Sequence, residues 1–548
     1  MSQPTKKQTF LHGAALLAIA TAVVKVIGFL YKIPLSAVIG NAGYGYFTTA
    51  YNIYSVLLMI STAGLPVAMS RMISQASSLG NNNQVRRIYA VARSIFLVLG
   101  MISTAIMVVF CRQLANWLNQ PDAWAAILCL GPCALLMGMI STYRGFFQGQ
   151  GDMRPTSNSQ MLEAVFKLVV GLAAAFVIMY LTADAALAAG GAILGVTVSC
   201  LVSVFYLRHV LVPAYRGLPQ SSDTAKTGKE TAKELLAIAV PITIGSAGLQ
   251  LLTVAESGLY MKQLVDMVGS GLYMSHQLSP LTDAQAVADN IKGIYDQAFT
   301  IFNMPCAFII PITVSVIPAI TSHLTLKNDA LVRETEESAA RITGLLSLPC
   351  AVGLMLLGEP VMGLLWGHTG QDLVLGGQLM SVLGISIFLY AIIQYTNALM
   401  QAHGYAHIPV INMLLAGVVR LVVVYILVGN PNIGMLGAPL GVALCYGAIA
   451  VMNLIAIAKV VPQKPKLMRN LLRPLLPAII MGLAVYGSQW ALERVLGTDT
   501  SRLILCGGPI AVGVVVYCVA AVLCKSITAA DCALLPKGEK IAKLLKLS

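Results

Sequence analysis

Charge is what this chain has least of. Only 10% of its 548 residues are Asp, Glu, Lys or Arg, and the acids, 22 against 35 basic residues, are the scarcer sign. Soluble domains carry about 25% charged residues, so a water-soluble globular chain is excluded. Period-two alternation over short segments is missing, which excludes a transmembrane β-barrel. The eleven cysteines form no CxxC pair. Cys129 and Cys133 share a helix face, but no second cluster completes a zinc site, and cysteines inside apolar runs read as small buried hydrophobes. HExxH and DxD-type metal motifs are absent, as is a large polar catalytic loop. A polytopic glycosyltransferase or polysaccharide polymerase is therefore not expected, and neither an enzyme's cofactor nor a metal is implied.

What the chain does have is apolar length, with 57% of its residues hydrophobic. Runs long enough to cross a bilayer recur from end to end, and spans must be helices because lipid tolerates no open sheet edge. The expected fold is all-α and polytopic. It has fourteen transmembrane helices, near 11–39, 45–74, 87–111, 123–146, 157–181, 186–212, 233–264, 293–322, 336–364, 372–401, 408–428, 435–461, 470–496 and 501–524. The first run is too long for a signal-peptide core and reads as a permanent span.

A net charge of +13 invites a nucleic-acid reading, but its distribution removes it. With the N-terminus inside, 25 of the 35 basic residues fall on cytoplasmic segments, and Arg112, Lys262, Lys292, Arg494 and Arg502 fall outside. That asymmetry places both termini in the cytoplasm. The tail "LLPKGEKIAKLLKLS" alternates leucines with Lys537, Lys540, Lys543 and Lys546, a basic amphipathic helix suited to the anionic inner leaflet.

The chain also repeats itself. "QGQGDMRPTSNSQMLEAVFKLVVGL" from Gln148 aligns with "QAHGYAHIPVINMLLAGVVRLVVVYIL" from Gln401, matching Gly151 with Gly404 and Lys167 with Arg420. "AYNIY" at Ala50 aligns with "AFTIF" at Ala298, and "LLAIA" recurs at Leu16 and Leu235. The offset grows along the chain, which places an insertion near "GSGLYMSHQLSPLTDAQAVADN" in the second copy. Six helices per copy is an even number, so the copies enter the membrane in the same sense, as parallel repeats. The expected organisation is an N-lobe with cytoplasmic linker over 1–232, a C-lobe over 233–465, and two extra helices with the basic tail over 466–548. The linker, "AYRGLPQSSDTAKTGKETAKE", is polar and lacks a phosphate-binding glycine pattern.

Five basic residues fall within spans: Lys25, Lys32, Arg93, Lys167 and Arg420. An ionisable group at mid-membrane costs about 2.5–3.5 kcal/mol on insertion scales and points to function. Arg93, near a span end, reads as a snorkelling residue. Lys25 lies near mid-depth and is the stronger cavity residue, while for Lys32 a cavity role and outward snorkelling are both open. Seven residues is about two helical turns, so the two lysines share a face, with Gly28 between them. Two stacked cations make a ladder for an anion crossing the membrane. Glu163, four residues before Lys167, is placed to form an intrahelical ion pair with it, so for Lys167 a diphosphate-binding place in the cavity and neutralisation by Glu163 are both open. Ala416 stands at the matching place before Arg420, and a guanidinium suits bidentate phosphate recognition. Glu256 is the other deep acid, to be read as a partner for a first-helix lysine or as a coupling site. Tyr46, Tyr51, Asn52 and Tyr54, with Phe299, Phe302 and Asn303, either line a sugar-accepting cavity or simply pack.

Several stretches carry a family resemblance: "VVKVIG" around Lys25 and Gly28, "IGNAGYGYF", "TAGLPVAMSRMIS", "FFQGQGDMRPT", "IPITVSVIPAIT" and "LMQAHGYAHIP". The chain resembles the stage V sporulation protein B and polysaccharide-transport proteins of Gram-positive bacteria. These stand with the lipid II flippases in the multidrug/oligosaccharidyl-lipid/polysaccharide exporter superfamily. The resemblance implies two lobes around a basic cavity, alternating access, and undecaprenyl-diphosphate-linked sugars as substrate. Such flippases often carry arginines in the first helices, where lysines stand here. The expected protein is a monomeric plasma-membrane flippase for a peptidoglycan precursor or related unit, with membrane lipids but no nucleic acid as partners. Lys25, Lys32 and Arg420 would hold the diphosphate. A drug/cation antiporter of the same superfamily is the alternative, which would need a deep carboxylate such as Glu256 or Glu163.

Overall fold

The computed structural model describes residues 6–59, 65–271, 283–405, 407–462, 465–496 and 502–526. The basic tail lies outside the described residues, as do residues 272–282 of the insertion. The described chain is all-helical: α1 (Lys6–Met59), α2 (Leu65–Ser78), α3 (Asn82–Val109), α4 (Cys111–Trp117), α5 (Trp124–Gly149), α6 (Arg154–Thr182), α7 (Ala185–Arg216), α8 (Gly228–Gly269), α9 (Ala284–Thr325), α10 (Asp329–Leu356), α11 (Gly358–Trp366), α12 (Gly370–Ala402), α13 (His407–Val428), α14 (Gly437–Val460), α15 (Leu467–Leu471), α16 (Leu475–Leu496) and α17 (Arg502–Leu523). Eleven helical segments among the described residues are long and apolar enough to cross a membrane, and the chain is a multi-pass membrane protein.

One of the expected spans is interrupted. The 336–364 run breaks at Leu357 into α10 and α11. Pro360 lacks the N–H that a continuing helix would need and its ring clashes with the carbonyl one turn earlier, so α10 ends ahead of it. Of the 45–74 run, residues 45–59 lie in α1 and 65–74 in α2, and 60–64 are outside the described residues. Within α1, Gly40 has φ 70° and ψ −178°. This backbone conformation is essentially reserved for glycine, and it marks the break between the first two expected spans.

The chain packs as two compact units. The first comprises residues 1–265 and 285–293 and therefore holds α1 to α7, most of α8, and the first turns of α9. It extends past the linker at which the sequence division was drawn. Val254 of α8 packs with Val56 and Leu118, and Asn119 donates to the Gly258 carbonyl at 3.2 Å. Inside this unit α5 and α7 are the central helices, with 61% of their most apolar windows buried, while only 17% of the α6 window is buried. Helices α6 and α7 approach closely: a Cβ on Gly195 would stand 2.3 Å from the Gly171 Cα. Small residues at such contacts let membrane helices pack backbone to backbone.

The second unit comprises 266–284 and 294–548. Its apolar core gathers side chains of α9, α10, α12, α13, α14 and α15, including Ile320, Leu399, Ile449 and Leu471. A buried amide hub supports it, where Asn453 receives a hydrogen bond from Asn412 at 2.9 Å and donates to Thr396 at 3.0 Å and Asn397 at 2.9 Å.

Candidate functional site

In the first unit the cationic residues come from α1 and α6. Lys25 is exposed and Lys32 half-buried on the part of α1 ahead of Gly40. Lys167, half-buried on α6, reaches back to the same α1 face. Its Nζ lies 3.9 Å from where a Gly28 Cβ would be, so the missing side chain leaves room for the ammonium. Gly28 stands between Lys25 and Lys32 on that face, and the structure thus directs a third cation to the stretch that carries the other two.

The Lys167 ammonium also sits 5.9 Å from the ring centroids of both Tyr31 and Tyr51. A cation over aromatic faces is favoured by about 0.5–2 kcal/mol, more as water is withdrawn. Tyr31 is 1% exposed, and its hydroxyl donates to the Ala192 carbonyl at 3.3 Å. Aromatic contacts run on from Tyr31 to Phe47 at 6.1 Å, Tyr51 at 5.8 Å and Tyr54 at 5.4 Å. Tyr51 and Asn52 are half-buried, whereas Tyr54 is buried.

The expected Glu163–Lys167 pair is not formed. Glu163 instead accepts from Arg144 of α5 at 2.7 Å, and the Arg144 Nε donates to Ser159 at 2.9 Å. A guanidinium with two anchored contacts on α6 holds the carboxylate more firmly than an i,i+4 lysine, whose pairing is worth about 0.2–0.5 kcal/mol. Glu256 is buried on α8, next to a Ser257–Tyr260 hydroxyl pair at 3.2 Å.

Sequence reading missed a second polar cluster in this unit. Asp289, Lys292 and Gln120 are fully buried. Asp289 accepts from Tyr46 at 2.9 Å, Gln120 at 2.9 Å and Gln285 at 3.2 Å. Lys292 donates to the Gly45 carbonyl and the Thr48 hydroxyl, both at 3.2 Å, and the Thr49 hydroxyl donates to Gln120. Asn41 donates to Asn290 at 3.0 Å. A Cβ on Gly293 would lie 1.9 Å from the Asn41 carbonyl oxygen, so only glycine admits this approach. Polar composition made Lys292 look like part of an external segment. The available signal was the i,i+3 spacing of Asp289 and Lys292, which puts both on one helix face. Tyr46 belongs to this network.

In the second unit, Arg420 is half-buried on α13. It stands thirteen residues after the first residue of its helix, as Lys167 does on α6. It lies within electrostatic reach of Tyr446, whose ring meets Tyr390 at 5.8 Å and Phe302 at 6.5 Å. Among the described residues no group of three or more His, Cys, Asp or Glu side chains is placed to hold a metal ion.

The fold is shared with solved transporters. A structure of the lipid II flippase MurJ in an inward closed conformation aligns with a TM-score of 0.68, at 13% identity over 93% of this chain and 98% of that one. An inward-facing multidrug resistance MATE family transporter of the MOP superfamily aligns at 0.64, at 16% identity over 81% and 99%. In sequence, the chain is 25% identical to stage V sporulation protein B of Bacillus subtilis (strain 168) over 84% of this chain and 86% of the relative. It is also 25% identical to that organism's lipid II flippase MurJ, over 88% and 89%. The model of the family described as polysaccharide biosynthesis protein matches residues 10–323. Spanning more than half of the chain and all of the lysine cluster, that match means that this protein belongs to the polysaccharide biosynthesis protein family.

Proposed function

We propose that the protein is a flippase that moves an undecaprenyl-diphosphate-linked oligosaccharide across the plasma membrane by alternating access. The cargo is a peptidoglycan precursor such as lipid II or a related polysaccharide unit. The observation that carries this reading is the Lys167 ammonium over Gly28, on the α1 face of Lys25 and Lys32, with Glu163 engaged by Arg144 instead. A diphosphate cannot enter hydrocarbon without counter-charge. Three lysines supply it as point charges with rotatable donors, which suits a headgroup that must be released again. Tyr51 and Asn52, half-buried beside them, offer an aromatic face and an amide for sugar. Arg420, half-buried on α13 of the second unit, is a further cation whose guanidinium suits phosphate. The proposed frame is two six-helix lobes, 1–232 and 233–465, with two additional helices, fourteen spans in all, and both termini in the cytoplasm. The relatives named for lipid II and for sporulation support the substrate class.

The test is complementation in a strain depleted of its own flippases. Lys25→Ala and Lys167→Ala are expected to reach the membrane and fail to support growth, with undecaprenyl-linked precursor accumulating on the inner leaflet. Normal growth of both variants overturns the reading. Likeness in fold to a multidrug transporter, with the buried Glu256, favours a second reading as a drug/cation antiporter. Loss of drug efflux in Glu256→Gln, with growth intact in the lysine variants, would select it.

A further inference from the structure

We propose that the first unit carries a second anion site, for the phosphate headgroup of an anionic membrane lipid, in a cavity among α3, α5 and α7. The cavity measures about 470 Å³, and its polar lining is Tyr89, Arg93 and Ser94 of α3, Tyr143 of α5, and Arg208, Tyr215 and Arg216 of α7. That volume is in the range of small-ligand pockets, about 300–1,000 Å³. No acid lines it.

The three arginines are exposed to solvent, and their like charge around one cavity raises its potential and attracts an anion. Two other arginines of this unit are engaged, Arg144 by Glu163 at 2.7 Å and Arg86 by the Leu218 carbonyl at 2.9 Å. Arg93, Arg208 and Arg216 make no ion pair or side-chain hydrogen bond among the described residues. Tyr89 and Tyr143 are buried with 8% and 4% exposure, and among the described residues their hydroxyls likewise make no hydrogen bond, which leaves them to donate to phosphate oxygens. Tyr89 is held by ring contacts to Tyr215 at 5.1 Å and Phe146 at 5.7 Å, a rigid wall on one side of the cavity.

The surroundings point to a lipid as the source of the phosphate. The cavity lies at the start of α3 and the end of α7. Moving from the arginines into the spans, both helices present exposed apolar side chains: Met101 and Ile102 on α3, Phe205 and Leu201 on α7. A charged head with an apolar track beside it matches a phospholipid, and basic pockets between transmembrane helices are known receivers of anionic lipid heads. The lysine cluster on α1 and α6 shares no residue with this cavity.

The experiment uses the full chain in mild detergent, exposed to phosphatidylglycerol, phosphatidylcholine or inorganic phosphate, with retained lipid counted by native mass spectrometry and protection read by thermal unfolding. The wild type is expected to retain phosphatidylglycerol over phosphatidylcholine. The triple variant Arg93→Gln/Arg208→Gln/Arg216→Gln should lose that retention by about tenfold or more. A control triple, Arg71→Gln/Arg87→Gln/Arg154→Gln, removes the same charge from exposed positions outside the cavity and should keep it. Arg208→Gln alone should lower retention severalfold, and it carries the test if the triple variant does not accumulate. Equal loss in both triples, equal retention of the two lipids, or an unchanged Arg208→Gln overturns the proposal. Protection by inorganic phosphate as strong as by phosphatidylglycerol overturns the lipid assignment in favour of free phosphate.

Discussion

Glu163 and Lys167 have the spacing and order of an intrahelical ion pair, and the protein uses neither side chain that way. The carboxylate belongs to a bond between helices, with Arg144 on α5, and the ammonium lies over Gly28 and between two tyrosines. Local spacing states which residues can meet on one helix. It is silent about a competitor on the neighbouring helix, and the competitor wins because a half-buried guanidinium bond outweighs a flexible i,i+4 pair. A double-mutant cycle separates the two. Glu163→Gln with Arg144→Gln should show a coupling of about 1–3 kcal/mol in unfolding, while Glu163→Gln with Lys167→Gln should be additive within about 0.5 kcal/mol. A larger coupling in the second cycle would contradict the arrangement. At Lys25 and Lys32 the sequence was more informative, since a shared face follows from helical period alone.

At the scale of elements, the polar linker is anchored to α3. Asn83 Nδ2 donates to the carbonyls of Ser221 at 2.8 Å and Asp223 at 3.0 Å. The Asp223 carboxylate in turn caps α3, accepting from the Asn83 and Gln84 amides at 3.0 and 2.9 Å. Desolvation alone would raise the Asp223 pKa, but hydrogen bonds from Ser221 and these two amides hold it below the usual carboxylate value. A depressed folded pKa makes the contribution present above the unfolded value and lost as pH falls through the folded one. Limited proteolysis of the linker should therefore quicken as pH is lowered below the normal carboxylate range, and Asp223→Ala should be cut quickly at neutral pH. Identical cleavage of the two forms at neutral pH would show that the cap does not hold the linker. Sequence identified this stretch as a polar connection. It left the anchoring invisible, because the partners lie some 140 residues apart and meet only after α3 and α7 have packed.

For the whole molecule, the bias of basic residues predicts which ends of the helices face the cytoplasm. In an otherwise cysteine-free chain, Asn430→Cys between α13 and α14 should react with a membrane-impermeant thiol reagent on intact cells. Ser222→Cys in the linker should react only after lysis. The opposite pattern would reverse the orientation. The two compact units add something that topology lacks: α8 packs with the first unit as far as Val265, and residues 285–293 of α9 do so too. The expected repeats follow similarity along the chain, whereas packing follows contacts such as Val254 with Val56 and Leu118.

The sequence by itself determined the all-helical, multi-pass membrane class and the family. Each is written in local composition and period, which the bilayer enforces on every segment separately. It also determined that Lys25, Gly28 and Lys32 share a face. Only the tertiary structure decided that Lys167 joins that face, that Glu163 serves Arg144, that Asp289 and Lys292 are buried with Tyr46 and Gln120, and that three arginines of α3 and α7 open on one cavity. These depend on which helices touch and at what height, and side-chain pairing between helices is chosen by packing distance, not by position along the chain.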